Sequence, residues 1–440
     1  MAASVFSSAI FSQLFPTGEI GKLFSDTAEI RAMLLVEGAL AEAQGKLGII
    51  PEISAAAIVR AAREIQIDPG ALAKATGQNG VVVPALVTAF RAEMQAPEHA
   101  QYVHWGATSQ DIIDTGLMLR LRQCLTLAET TLIEILRSLA DQAEAHAETA
   151  MAARTYGQHA TPTSWGAVVA QHGAPLVDMV GRLGHLREVS LWISLGGAAG
   201  TSSVFGDTAS QLRADLACGL NLRDPGRSWH TDRGPILRLA EWFAAVTAAL
   251  AGFGQTVIGL TSSETGEIRL SGAGASSTMP QKQNPVGPSA LVALNHQMGS
   301  LRAGLQSASA HQHQRDGAAW FAEWMLLPQL VLTGAAALEI AKGLVVGIEA
   351  VPARMARNLE ADGFAFAEAL SFALAKQMPR PDAQTVVKTL CRQAVESDQP
   401  LPIVARAAHP DLAASLFDPP QQWGDAPAAA RAFVRKVREV

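Results

Sequence analysis

Lys282 and Asn284 stand one residue apart in the strip GAGASSTMPQKQNP, which runs from Gly272 to Pro285. In an extended chain, side chains two positions apart point the same way, so this spacing aims an ammonium and an amide donor at one place. A carboxylate suits that pair, through charge-assisted hydrogen bonds. Two serines, Ser276 and Ser277, precede them. A hydroxyl beside a carboxylate clamp is a proton-transfer design. The clamp holds the charge that forms when a carbon next to the carboxylate loses a proton, and the serine moves that proton. Serine alone is a poor base, so the clamp must supply strong electrostatic help. Gly272, Gly274 and Ala275 give the strip few steric limits, as in a lid, and Pro280 and Pro285 stiffen its second half. A phosphate-binding loop is the rival reading, but no Ser or Thr follows the lysine and no strand is expected before the glycines. An ordinary loop between helices is the remaining alternative on local composition.

The elements that must position this strip read as helices nearly throughout. Ala, Leu, Gln and Glu dominate, and apolar residues recur at steps of three and four. One helix opens on Ser25 and runs to about Leu47 before Pro51; a second opens on the capping box TSQD at Thr108 and runs to about Leu139. A third is expected from about Ser164 to Leu191, and further ones from Gly234-Pro235, from Pro285 to about Ser307, and from Trp324 to Ala350. The fold class is therefore all-α: three helical domains, 1–106, 107–349 and 350–440, with a central bundle of long helices. Between Trp242 and Ser263 no charge appears over 22 residues, long enough to span a bilayer. Its Ala, Thr and Gly content, Gln255 near the middle and the lack of flanking basic clusters favour a buried bundle helix.

Only 17% of the 440 residues are charged while 49% are hydrophobic, which points to much surface buried between subunits. A net charge of −6 without a Lys/Arg run argues against nucleic acid or an anionic membrane as partner. Cys124, Cys218 and Cys391 form neither a CxxC pair nor a disulfide ladder, and the start MAASVFSSAIF has no basic n-region; a cytoplasmic enzyme is expected. No cofactor fingerprint is present.

SSTMPQKQNP resembles the S-S-x-M-P-x-K-x-N-P loop of the fumarase/aspartase superfamily, which includes argininosuccinate and adenylosuccinate lyases. The resemblance implies that Ser276 is the base that takes the proton α to a carboxylate, with Ser277 a weaker candidate, and that Lys282 and Asn284 bind that carboxylate. HWGATSQDIIDT, His104 to Thr115, is similar to the family's H-x-G-x-T-S-x-D segment, which points to Thr108 and Ser109 as carboxylate ligands with His104 nearby. Without the family, His104 reads as a structural histidine and Thr108 or Ser109 as a helix cap. RTYGQHATP, Arg154 to Pro162, is similar to R-T-H-x-Q-x-A-x-P, and Gln158 matches the family glutamine. The family implies a homotetramer whose active sites take these strips from three subunits.

One departure is informative. Where lyases carry the histidine that protonates a leaving amine or hydroxide, this chain has Tyr156; His159 lies three residues on and does not align with it. A carboxylate, with a pKa near ~4, leaves without a proton. The second half of the reaction is therefore expected to be carboxylate expulsion or, in reverse, carboxylate attack on an activated double bond. A lactone-forming cycloisomerase branch of the superfamily does this with a muconate carboxylate. An aromatic residue at position 156, the AAWFAEW strip (Ala318–Trp324) and the opening FPTGEIGKLFSDTAEIRAMLLVEGALAEA also resemble that branch. QRDGAAW offers Arg315 and then Gly, Ala and Trp, where adenylosuccinate lyases carry Ser and Arg after their E-R-D triplet to bind a phosphate. The expected substrate is a small polycarboxylate. Alternatives are a sulfomuconate-using relative, a purine-pathway or amino-acid lyase, and a silent scaffold. His311 and His313 form an H-x-H pair without an obvious third ligand, so they read as polar lining near Arg315 or as solvent-facing residues, and no metal is expected.

Replacing Ser276 by Ala should lower turnover by orders of magnitude while the far-ultraviolet circular dichroism stays helical. Near-wild-type turnover by that variant would remove the serine from the chemistry.

Overall fold

The computed structural model describes residues 4–272, 274–275, 279 and 282–440. Ser276 and Ser277 lie outside the described residues. Among those described, 18 α-helices and three two-stranded antiparallel sheets form the chain. They group into two compact units: Met1–Thr130, Arg182–Thr247 and Leu294–Glu339 in the first, and Thr131–Gly181, Ala248–Ala293 and Ile340–Val440 in the second. The three-segment division drawn from the sequence stands beside this grouping as a proposal.

In the first unit, helix Asp26–Lys46 is capped by Ser25, whose hydroxyl accepts from the Ala28 N–H at 3.3 Å. It lies close against helix Glu52–Glu64, because Gly38 and Gly45 face Ala62 and Ala55. A Cβ at either glycine would come within 2.9 and 2.5 Å of those methyls. Helix Ser109–Ala145 is 37 residues long. Its fully buried positions Leu121, Leu125, Ala128, Leu132, Ile135 and Leu139 alternate steps of four and three, the seam a bundle helix needs. Helices Gly234–Leu260, Val286–Ala308 and Gly317–Gly347 complete the long set. Two of them, Gly234–Leu260 and Gly317–Gly347, are long and apolar enough to cross a membrane by composition. In each, 56% of the most apolar stretch is buried inside the protein, as in core helices.

The second unit holds the C-terminal helices. Ala367–Leu374, Arg380–Ser397 and Leu401–Ala408 share a core of Leu370, Leu374, Ala383, Leu390 and Leu401. Helix Ala426–Arg438 packs Phe433 on Gly173 of helix Trp165–Gly181.

Three local features differ from the helical reading. RTYGQHATP lies in a β-hairpin, Ala150–Thr155 paired antiparallel with Gln158–Ser164 and bulged between Ala152 and Arg154. Positive φ at both Tyr156 (52°) and Gly157 (74°) makes the two-residue turn whose twist suits a hairpin. The strands carry few β-branched residues, so composition hid them. The helix expected from Ser164 to Leu191 is broken at Arg182 into Trp165–Gly181 and Leu183–Ser190. The helix expected from Trp324 starts earlier, at Gly317, because the Asp316 carboxylate accepts from the N–H groups of Ala318 and Ala319, both at 3.1 Å.

Gly166, at the start of its helix, has no room for a methyl: a Cβ would meet the Ala143 carbonyl at 2.5 Å and Ala147 Cα at 2.8 Å. Gly166→Ala should therefore lower stability by about 1–3 kcal/mol. Thermal unfolding followed by circular dichroism checks this, and an unchanged melting temperature would contradict it.

Candidate active site

In the first unit, the strip HWGATSQD is held from below by two polar residues on the otherwise apolar face of helix Asp26–Lys46. Glu37 Oε1 lies 2.7 Å from His104 Nδ1, and Gln44 Nε2 donates to the Trp105 carbonyl at 2.7 Å. Both Glu37 and Gln44 are buried. His104 and Gly106 take positive φ (62° and 74°), and a Cβ on Gly106 would sit 2.6 Å from the Phe205 ring, which explains the glycine. His104 titrates above its ordinary value: burial pulls it down, but the hydrogen bond and charge of Glu37 outweigh that.

Asp111 ties the strip to the rest of the unit. Its Oδ1 accepts from Ser194 Oγ (3.1 Å) and the Gly196 N–H (2.8 Å), and lies 2.8 Å from His230 Nε2. Its Oδ2 accepts from the N–H groups of Gly197 (2.9 Å) and Thr108 (3.0 Å). The last bond is half of the TSQD capping box. The other half is not made as expected, because the Thr108 hydroxyl faces Arg315 instead. Arg315 Nη2 donates to Thr108 Oγ1 at 2.9 Å and to the Ala198 carbonyl at 3.3 Å, while its Nε donates to Gln110 Oε1 at 3.0 Å. Thr108 and Arg315, two residues singled out from separate strips, are thus in contact, with Ser109 next in the chain and half-buried.

Beneath them lies a buried ion cluster. Arg233 holds Asp114 with Nη1 and Nη2 (2.8 and 3.1 Å) and Glu323 with Nε and Nη2 (2.8 and 2.6 Å), and its guanidinium stacks 4.9 Å from the Trp229 ring. Burial would lower the Arg233 value, but Asp114 and Glu323 raise it; burial pushes Glu323 up against the pull of Arg233. Glu323 belongs to the AAWFAEW strip, so that strip's acid is structural. Burial and the charge of Arg233 lower the His311 value, and neither ring nitrogen has a hydrogen-bond partner among the described residues; His313 is exposed with φ 53°.

The second unit carries the other strips. Lys282 and Asn284 line a cavity of about 900 Å3 together with Met279, Thr261, Ser262 and Arg354. Gln283–Asn284 pairs antiparallel with Gly274–Ala275, which sets Asn284 opposite Gly274 and Gln283 opposite Ala275. The strand holds Asn284 but not Lys282, whose N–H donates to the Met279 carbonyl at 3.0 Å. Tyr156, at the turn of the longer hairpin, is fully exposed, and Gln158 is exposed. His159 Nε2 is 3.4 Å from Arg154 Nη2. Arg154 is fixed by the wholly buried Glu267 at 2.6 and 2.8 Å, and Asn358 Nδ2 also donates to Glu267 at 2.8 Å.

Sequence reasoning did not single out Glu37, Gln44, Gln110, Asp111, His230 or Glu267. The available signal was polarity at core-facing helical positions, as at Glu37 and Gln44, and the last residue of the H-x-G-x-T-S-x-D segment, Asp111. His230 had no local signal.

The family described as lyase matches residues 16–298. The chain belongs to the lyase family. It is 38% identical over 99% of its length to a 3-carboxy-cis,cis-muconate cycloisomerase of Pseudomonas aeruginosa, of which 97% is covered. It is 36% identical over 89% of its length to the enzyme of that name from Pseudomonas putida, with 94% of that chain covered. The crystal structure of 3-carboxy-cis,cis-muconate lactonizing enzyme from Pseudomonas putida matches with a TM-score of 0.90 at 33% identity, covering 98% of this chain and 99% of that one. The superfamily resemblance of SSTMPQKQNP therefore extends over nearly the whole lyase-family chain.

A histidine whose pKa is raised on folding lends stability below its unfolded value of about 6.5, and that stability is lost as pH rises through the folded value. The gap in unfolding free energy between wild type and His104→Gln should thus be full near about pH 5.5 and narrow towards about pH 8.5. Denaturant titrations at several pH values measure it; a gap that ignores pH would contradict the Glu37 pairing.

Proposed function

We propose that this chain interconverts 3-carboxy-cis,cis-muconate and 4-carboxymuconolactone, as an intramolecular lyase of aromatic-acid (protocatechuate) catabolism. The single observation that carries the reading is Tyr156. It replaces the histidine acid of the lyases at a hairpin turn and has no hydrogen-bond partner among the described residues. The names of the relatives at 38% and 36% identity support the same substrate.

The mechanism follows from charge. A carboxylate of the substrate adds through oxygen to its own conjugated double bond, and ring closure is intramolecular because both ends are held. Negative charge moves onto the conjugated carboxylate, clamped by Lys282 and Asn284. Thr108, Ser109 and Arg315 bind a second carboxylate. Each well-aimed donor contributes about 3–4 kcal/mol to lowering the barrier. Ser276 then delivers the proton to carbon and regains one from solvent. In the reverse direction Ser276 takes that proton and the carboxylate departs unaided. His104, Gln158 and His159 line the substrate, and no cofactor or metal takes part. A cytoplasmic homotetramer assembles the strips, with the exposed Tyr156 hairpin reaching a neighbouring subunit. A sulfonate in place of one carboxylate would be held by the same donors. An adenylosuccinate- or argininosuccinate-type lyase is not favoured, because its amine leaving group needs the acid that Tyr156 does not replace.

Mixing the protein with 3-carboxy-cis,cis-muconate should abolish the diene's ultraviolet absorbance with formation of the lactone; persistence of that absorbance beside an active cycloisomerase control would refute the assignment. Tyr156→Phe should keep kcat within about tenfold of wild type, since a carboxylate with a pKa near ~4 leaves unprotonated. Loss of several orders of magnitude would make the phenol an essential acid.

A further inference from the structure

The first unit contains a second cavity, of about 370 Å3, between helices Asp26–Lys46 and Glu52–Glu64 and the Leu119–Gln123 stretch. Four arginines line it, Arg31, Arg63, Arg120 and Arg122, against one carboxylate, Glu42, which Lys46 already holds at 2.8 Å. Three of the arginines spend one edge on backbone carbonyls near helix ends. Arg31 Nη1 donates to Ala62 O at 2.6 Å, Arg120 Nη1 to Leu23 O at 3.3 Å, and Arg122 Nη1 to the Leu220 carbonyl and to Asn221 O at 2.9 Å. A helix C-terminus carries roughly half a negative charge, so three of them together with Glu29, which pairs with Arg120, still do not balance four guanidinium groups.

Arg120 is the informative residue. It is only 7% exposed, and its Nε is buried without a hydrogen-bond partner among the described residues. The acid nearest to it, Glu29, comes no closer than 3.6 Å. Burial holds Arg120 and Arg122 below the usual arginine value, the sign of cations short of counter-charge. Buried charges are ordinarily paired, so this cluster is incomplete as it stands.

We propose that this cavity binds a small multivalent oxyanion, a di- or tricarboxylate or inorganic phosphate, gripped by Arg31, Arg63 and Arg122, with the buried Arg120 behind them adding positive charge. Arginine's planar fork matches both groups in bidentate fashion. The volume falls within the roughly 300–1,000 Å3 of small-molecule sites. Leu35, Val59 and Leu119 on the wall suit the carbon skeleton of a polycarboxylate better than bare phosphate. None of these residues is among those assigned to turnover, so a ligand here acts on the fold of the first unit.

Calorimetric titration with citrate, and separately with inorganic phosphate, at ionic strength matched with sodium chloride tests this. Citrate binding to the carboxylate clamp is reduced by working with Lys282→Ala protein. Saturable citrate binding should persist in that protein and weaken at least tenfold when Arg31→Gln is added, with Arg31→Lys in between. In the otherwise wild-type enzyme, Arg31→Gln should leave turnover at saturating substrate unchanged. Should Arg31→Gln fail to fold, the exposed Arg63→Gln carries the same comparison. Saturable phosphate binding with the same arginine dependence, and none by citrate, would support the site and assign it to phosphate. Absence of saturable binding by either anion, or equal binding with and without the arginine change, would overturn the proposal.

Discussion

One buried carboxylate organises the first unit's share of the site. Asp111 sits in the first turn of a 37-residue helix, and its two oxygens are met by four donors and by the His230 ring. Those partners come from three stretches of chain: the strip at Thr108, the Ser194–Gly197 segment and the loop that carries His230. A buried carboxylate needs this many donors to offset the loss of water. The same bonds set the Thr108 backbone, and therefore where its hydroxyl meets Arg315. The cradle is thus a consequence of satisfying Asp111.

The neighbouring charges obey the same rule at greater depth. Arg233 answers two carboxylates at once, and its ring contact with Trp229 fills the remaining face. Removing one partner of such a cluster leaves an uncompensated charge in a low-dielectric interior, which costs about 3–5 kcal/mol. Rigidity at this level suits a reaction in which charge shifts between oxygens on one substrate. Donors that need not move when charge arrives stabilise it most.

Much of this was legible from the residues alone. The 3.6-residue periodicity and the caps at Ser25 and Thr108 placed the long helices, because burial of one stripe leaves a clear trace. That Lys282 and Asn284 share one cavity wall was legible because they stand two residues apart in one short strip. What could not be read depends on distant partners or on turns. Glu37 gains its meaning only from His104, and His230 only from Asp111, more than a hundred positions away. The Tyr156 hairpin escaped because its strands lack the β-branched residues that mark a sheet, and its turn was disguised by a tyrosine at positive φ.

The dependence of the cradle on Asp111 is open to one direct measurement, substrate affinity and circular dichroism of Asp111→Asn. Asparagine keeps the shape but turns an NH2 group towards N–H donors, and each unmet buried donor costs about 1–3 kcal/mol. With the helical spectrum retained, KM should rise by about tenfold or more. Wild-type KM and turnover in a folded Asp111→Asn protein would show that the strip holds its shape without the carboxylate, and the account would be wrong.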